Sequence, residues 1–280
     1  MTGPIRSSST GDRPVDPVAR PDPAAVGRYV AAKVPAVTAA FWIIKILTTG
    51  MGETISDYLV FHMDPVLAVA LTGILLAVAL AAQFAVRRYL AGVYWFAVVM
   101  VSVFGTMVAD AIHVVLGVPY VVSVLVFAIM LTIVLVAWHR SEKTLSIHSI
   151  HTPRREAFYW LTVVTTFALG TAVGDMTATT LHLGYLASGL LFAVVIVIPW
   201  IAHARFGFAA VPAFWAAYIV TRPLGASFSD WAAVSHERGG LNLGTGAVSI
   251  ALAIAIAVCV GYLAVTHADA QPAEVEPRVH

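Results

Sequence analysis

The chain has 280 residues, 60% of them hydrophobic and 11% charged, with a mean hydropathy of +0.87; soluble domains carry roughly 25% charged residues, so a water-soluble fold is excluded. A formal net charge of +1, with basic residues confined to short loops, excludes a surface that tracks a nucleic-acid backbone. The single cysteine, Cys259, rules out an internal disulfide and reads as a small buried hydrophobe.

Residues 1–28 hold Ser7, Ser8, Ser9, several prolines and four arginines but no apolar run. That composition predicts a disordered tail and lacks the apolar stretch of a signal peptide. Residues 269–280 read the same way, leaving 29–268 as an integral membrane domain. A bilayer span needs about 20 mostly apolar residues. On that measure eight helices are predicted, at 34–60, 64–86, 91–116, 119–138, 156–182, 185–203, 207–233 and 244–266. Turn-formers separate them, among them Asp64-Pro65, Gly117-Val118-Pro119 and the polar loop from Gly239 to Gly244. The fold class is an all-α polytopic membrane bundle.

Orientation follows the short-loop Lys and Arg residues. One side carries Arg28, Lys33, Arg87, Arg88, Arg140, Lys143, Arg154, Arg155 and Arg205, and the other little beyond Arg238. An even number of spans then places both termini in the cytoplasm.

Four aromatic-Trp pairs recur: Phe41-Trp42, Tyr94-Trp95, Tyr159-Trp160 and Phe214-Trp215. Ten residues after each Trp stands Gly52, Gly105, Gly170 or Gly225, and five further on Asp57, Asp110, Asp175 or Asp230. The pattern (Phe/Tyr)-Trp-x9-Gly-x4-Asp takes four of the five aspartates between residues 29 and 268. The residue before each Asp is also small (Ser56, Ala109, Gly174, Ser229). Trp spacings of 53, 65 and 55 residues make each unit two spans, with repeats at about 33–88, 89–140, 154–205 and 206–268. All copies therefore enter the membrane in one direction, around an axis along its normal. The long connector at 139–155 suggests two halves of four helices.

Lys33-Val34-Pro35, Phe41-Trp42-Ile43-Ile44-Lys45 and Gly52-Glu53-Thr54-Ile55-Ser56-Asp57 resemble a family of bacterial "uncharacterized membrane-anchored proteins" with four tandem two-span repeats of unknown function. The resemblance covers about residues 33–266. It implies the architecture and a bacterial inner-membrane location, and it brings no activity with it.

Trp and Asp lie roughly 22 Å apart along one helix. The Trp residues suit interfacial anchoring or packing, and the glycines suit close helix approach. The aspartates stand apart, because an acid at membrane depth faces protein or a wet cavity. Four parallel copies place Asp57, Asp110, Asp175 and Asp230 at one depth, as a carboxylate ring if the helices surround the axis. Glu53 adds a fifth acid one turn before Asp57, where the other copies have Thr106, Thr171 and Ala226. Lys45 and Arg222 are the two cations, so five acids leave three net negative charges if all are ionised. Such an excess binds cations or holds protons. His62, His113, His182 and His236 follow the aspartates at uneven spacing; as metal ligands they would point to Mn or Zn, though histidine is also common at membrane interfaces. Thr48, Thr166 and Thr221, six residues after their Trp, could line a path or bond their own backbone.

These residues suit a secondary transporter or channel for a small cation, a divalent metal or one coupled to protons. The alternative is a scaffold or sensor in which the aspartates are structural. An enzyme reading has little support: there is no P-loop, Cys259 has no nearby His, and His236-Glu237 lacks the second His of H-E-x-x-H. No cofactor is expected beyond a transported ion; the partners are the bilayer and that cation.

Overall fold

The computed structural model describes residues 28–30, 32–271 and 274–276. The chain divides into two units. In the smaller one, Arg28–Val30 (β1) pairs antiparallel with Glu274–Glu276 (β2), Tyr29 opposite Val275. The rest of both expected tails lies outside the described residues, except 269–271, which belong to the larger unit.

That unit, 31–273, is helical. Its helices are α1 (Ala39–His62), α2 (Pro65–Ala85), α3 (Ala91–Asp110), α4 (Tyr120–Glu142), α5 (Pro153–Asp175), α6 (Gly184–Val195), α7 (Val197–Phe206), α8 (Ala210–Ala233) and α9 (Thr245–Thr266). Three starts follow from local chemistry. The Thr38 hydroxyl accepts from Phe41 N at 3.3 Å, and Thr152 does the same for Arg155 N at 3.3 Å. Asp64 accepts from Val66 N at 2.9 Å and Leu67 N at 3.1 Å, with Pro65 in the first turn, where its missing N–H costs nothing. The predicted sixth span is interrupted at Ile196, because Pro199 cannot donate to the carbonyl of Val195. The spans at 91–116 and 156–182 end in π turns, Ala111–Val115 and Met176–Thr180, each starting at the residue after the motif Asp.

Among the described residues, six helical segments are long and apolar enough to cross a membrane: α2, α3, α4, α5, α6–α7 and α9. Helices α1 and α8 fall outside that set, carrying Lys45, Glu53 and Asp57, and Arg222 and Asp230. Each still has 24 residues, about 36 Å of helix.

The packing is cyclic. Helices α1, α3, α5 and α8 form a closed inner ring, each touching the next, with α8 returning to α1. The second helix of each repeat packs mainly on the first helix of the following copy: α2 on α3, α4 on α5, α6 on α8 and α9 on α1. The expected division into two halves is therefore absent. The 139–155 connector is packed too: Ile147 and Ile150 are buried, and Leu145 O accepts from Trp215 Nε1 at 2.9 Å. The outer helices bury one narrow stripe each, such as Ala68, Thr72, Leu76, Ala79 and Gln83 of α2. Only 17% (α9) to 28% (α4) of an outer span is buried, against 61% for α3 and 72% for α5. Their outward faces are apolar, with Leu67, Ile74, Leu125, Ile129, Ile250 and Ile254 exposed.

Candidate functional site

The motif glycines seal the ring. A Cβ on Gly52 would lie 1.8 Å from Ser102 Oγ, on Gly105 2.8 Å from Phe167 Cβ, on Gly170 2.2 Å from Arg222 Cγ, and on Gly225 2.8 Å from Ile46 O and Thr49 Cγ2. Ser102, Phe167, Arg222 and Thr49 all stand seven residues after their Trp. Each motif glycine thus receives the same position of the next copy, and the fourth receives the first. Small residues at a helix crossing permit this approach.

Inside the ring, residues 3, 7, 11 and 14 beyond each Trp are buried in stacked layers. The first layer is Lys45, Val98, Val163 and Tyr218, each at most 1% exposed. Lys45 Nζ sits 3.9 Å from the centroid of the Phe167 ring and 4.4 Å from that of Tyr218, with no hydrogen-bond acceptor among the described residues. Ring faces solvate its charge.

The second and third layers meet at Arg222. Its Nη1 donates to Thr49 O at 2.7 Å; its Nη2 donates to Glu53 Oε2 at 2.8 Å, to Thr171 Oγ1 at 2.7 Å and to Thr106 Oγ1. Nε reaches Phe167 O at 3.4 Å. Glu53, Thr106 and Thr171 are the same motif position in three copies, so one guanidinium ties three helices to the fourth. The fourth copy has Ala226 there, on Arg222's own helix, one turn on. Arg222 is completely buried and Glu53 3% exposed, so the layer closes the axis.

Beyond it lie the acids. Carboxylate oxygens of Glu53, Asp175 and Asp230 lie within 4.8 Å of one another, and so do those of Glu53, Asp57 and Asp110. All five predicted acids therefore converge, with Glu53 common to both groups. Ser56 donates to Asp110 Oδ2 at 3.1 Å. Asp230 is 6% exposed, and its Oδ1 has no hydrogen-bond partner among the described residues.

No histidine joins either group among the described residues. His62 stacks on Tyr58 with Nδ1 2.7 Å from Tyr58 O, His113 stacks on Tyr120, and His236 Nδ1 meets Gly240 O at 2.8 Å. His182 is exposed at a left-handed turn with φ 55°. The hydroxyls of Thr48, Thr166 and Thr221 bond the carbonyls of Lys45, Val163 and Tyr218 at 2.9, 2.7 and 2.6 Å, within their own helices. Trp95, Trp160 and Trp215 are buried at 1%, 2% and 4%, packed edge-on against Tyr94, Tyr159 and Phe214, which places them in the core rather than at an interface. Trp42 is half-buried, and Cys259 lies partly buried against the same core.

The sequence reading missed two features at the Trp end. Lys33 pairs with the fully buried Glu156, which also accepts from Gln83 Nε2 at 3.0 Å. Tyr89 donates to Asp269 Oδ2, and Ala36 N to Asp269 O at 2.8 Å, anchoring the start of the expected C-terminal tail. Burial and the Asp269 carboxylate both push the Tyr89 hydroxyl well above its ordinary range. Gln83, a polar residue in an apolar run, was the available signal; Glu156 follows two arginines and gave none.

Neither a comparison with curated proteins nor one with solved structures finds a match. The model of one family, the Repeat of Unknown Function (DUF347), matches residues 40–89, 93–144, 158–207 and 213–269, each match spanning one motif helix and the outer helix that follows it. The chain belongs to that repeat family.

Proposed function

We propose that the protein is a membrane-embedded carrier for a small cation, whose binding site is the five-carboxylate cluster at the Asp end of the inner ring. The observation that carries this reading is the convergence of Glu53, Asp57, Asp110, Asp175 and Asp230 from four helices into two groups of ligand-spaced oxygens. Acids concentrated at membrane depth need a compensating charge, and among the described residues the cation paired with one of them is Arg222, at Glu53. The apolar outer faces support insertion in the bilayer of a bacterial inner membrane. The basic loops at the Trp end support a cytoplasmic location for both termini, so the carboxylates open toward the outside.

The Arg222 layer and Lys45 block the axis on the cytoplasmic side, which favours a carrier over an open pore. Passage requires Arg222 to leave Glu53, a two-arrangement element of the kind alternating access uses. A second reading, a scaffold in which the acids only hold helices together, draws on the buried Arg222–Glu53 ion pair.

Uptake of Mn²⁺ into proteoliposomes separates the two. The carrier reading expects saturable flux that Asp175→Asn and Asp230→Asn abolish while the protein stays folded and monodisperse. Absence of flux from the folded wild type, or flux unchanged in folded variants, would overturn it.

A further inference from the structure

We propose that the cluster is two cation sites rather than one, bridged by Glu53, so that the protein takes up divalent cations in pairs. The inference rests on the cation-binding reading and deepens it. The two oxygen groups share a single residue: Glu53 with Asp175 and Asp230 draws on α1, α5 and α8, and Glu53 with Asp57 and Asp110 draws on α1 and α3. Each group offers three carboxylates, enough to anchor one hard cation with the remaining positions left to water. A carboxylate shared between two ions about 3.5–4 Å apart is the arrangement of two-metal sites.

Charge gives the same count independently. With all five carboxylates ionised and Arg222 paired to Glu53, the cluster carries four net negative charges. Lys45, held by aromatic rings on the far side of the Arg222 layer, does not touch them. One divalent ion leaves two charges uncompensated in a buried setting, whereas two bring the cluster to neutrality. Asp230, a member of the first group and 6% exposed, keeps an Oδ1 with no hydrogen-bond donor among the described residues. An all-oxygen donor set with no histidine in either group favours Mg²⁺, Ca²⁺ or Mn²⁺ over Zn²⁺. Glu53 Oε2 is held by Arg222, so the shared residue of the two groups is also the acid tied to the guanidinium.

Mn²⁺ titration of the full chain in lipid nanodiscs, followed by electron paramagnetic resonance, tests this. Two Mn²⁺ per chain with exchange-coupled spectra are expected. Asp230→Asn and Asp110→Asn should each leave one uncoupled ion. One ion per wild-type chain would overturn the paired site and leave the carrier reading standing; none would overturn both. The wild-type count decides even if a variant fails to fold.

Discussion

Arg222→Met isolates the ion pair at the centre of the ring. The substitution keeps a long apolar stem but removes the donors to Thr49 O, Glu53, Thr106, Thr171 and Phe167 O. Glu53, 3% exposed, is left facing four aspartates without its counter-ion. Breaking a buried pair from one side costs about 3–5 kcal/mol, or roughly two to three and a half decades in the unfolding equilibrium. Adding Glu53→Gln removes the orphaned charge, so the double variant should recover most of the loss and show a coupling of about 2 kcal/mol or more. Millimolar Mn²⁺ should rescue the single variant and not the double one, because the cation replaces the guanidinium at Glu53. Reversible denaturation in mixed detergent micelles, read by tryptophan fluorescence, gives all four corners of the cycle. Additive losses, or a single variant costing under about 1 kcal/mol, would refute the assignment of Arg222 as the charge that holds the carboxylate cluster together.

Gly225→Ala should cost about 1–3 kcal/mol by the same denaturation, because its Cβ meets the backbone oxygen of Ile46 at 2.8 Å; Gly261→Ala, with nothing within 4 Å, should be neutral or slightly stabilising. Lys45→Met should be tolerated and raise the melting temperature, since it fills the same aromatic cage, abandons no acceptor and removes a buried charge; a loss above about 2 kcal/mol would mean the ammonium has a partner. Tyr89→Phe orphans a carboxylate that is 1% exposed, costing about 1–3 kcal/mol at neutral pH. The raised Tyr89 hydroxyl keeps its proton in the fold after the unfolded chain has lost its own. Wild-type stability should therefore fall as pH rises past about 10, and the fall should be shallower in Tyr89→Phe.

The helices and the repeat were legible because membrane spans and tandem copies leave strong one-dimensional signals. The acids were legible for a related reason: charge is so costly in apolar helices that each occurrence marks a position. The placement of the histidines was not legible, because proximity in sequence ignores direction; His62 and His182 follow Asp57 and Asp175 but are exposed and join neither carboxylate group among the described residues. The sequence left the Trp residues between interfacial anchoring and packing, since both share one sequence pattern, and burial of Trp95, Trp160 and Trp215 decides for packing. The order of the ring was not legible at all. Nothing in the α2 sequence says that its Ala68–Gln83 stripe fits α3 rather than α1; that choice depends on complementary surfaces far apart in the chain. Arg222 was visible as a membrane cation, but its partners were not. Thr106 and Thr171 looked only like departures from Glu53 until the axis brought the three together.

The loss of equivalence among the copies follows from that axis. Positions on the outside of a four-fold ring can stay identical, because each contacts its neighbour and never its own counterparts. The glycines do this: each packs against the residue seven after the next Trp, whether that is Ser102, Phe167, Arg222 or Thr49. Positions on the axis instead meet all their counterparts at once. Four arginines there would repel one another and overfill the space, and four glutamates would do the same without a counter-charge. One arginine, one glutamate and two threonines fill a single layer with every donor of the short Nη2 fan satisfied. The aspartates, one turn beyond that layer, remain four of a kind, and Glu53 gives their cluster its asymmetry. Divergence at the axis and uniformity at the rim are thus two consequences of the same closed packing.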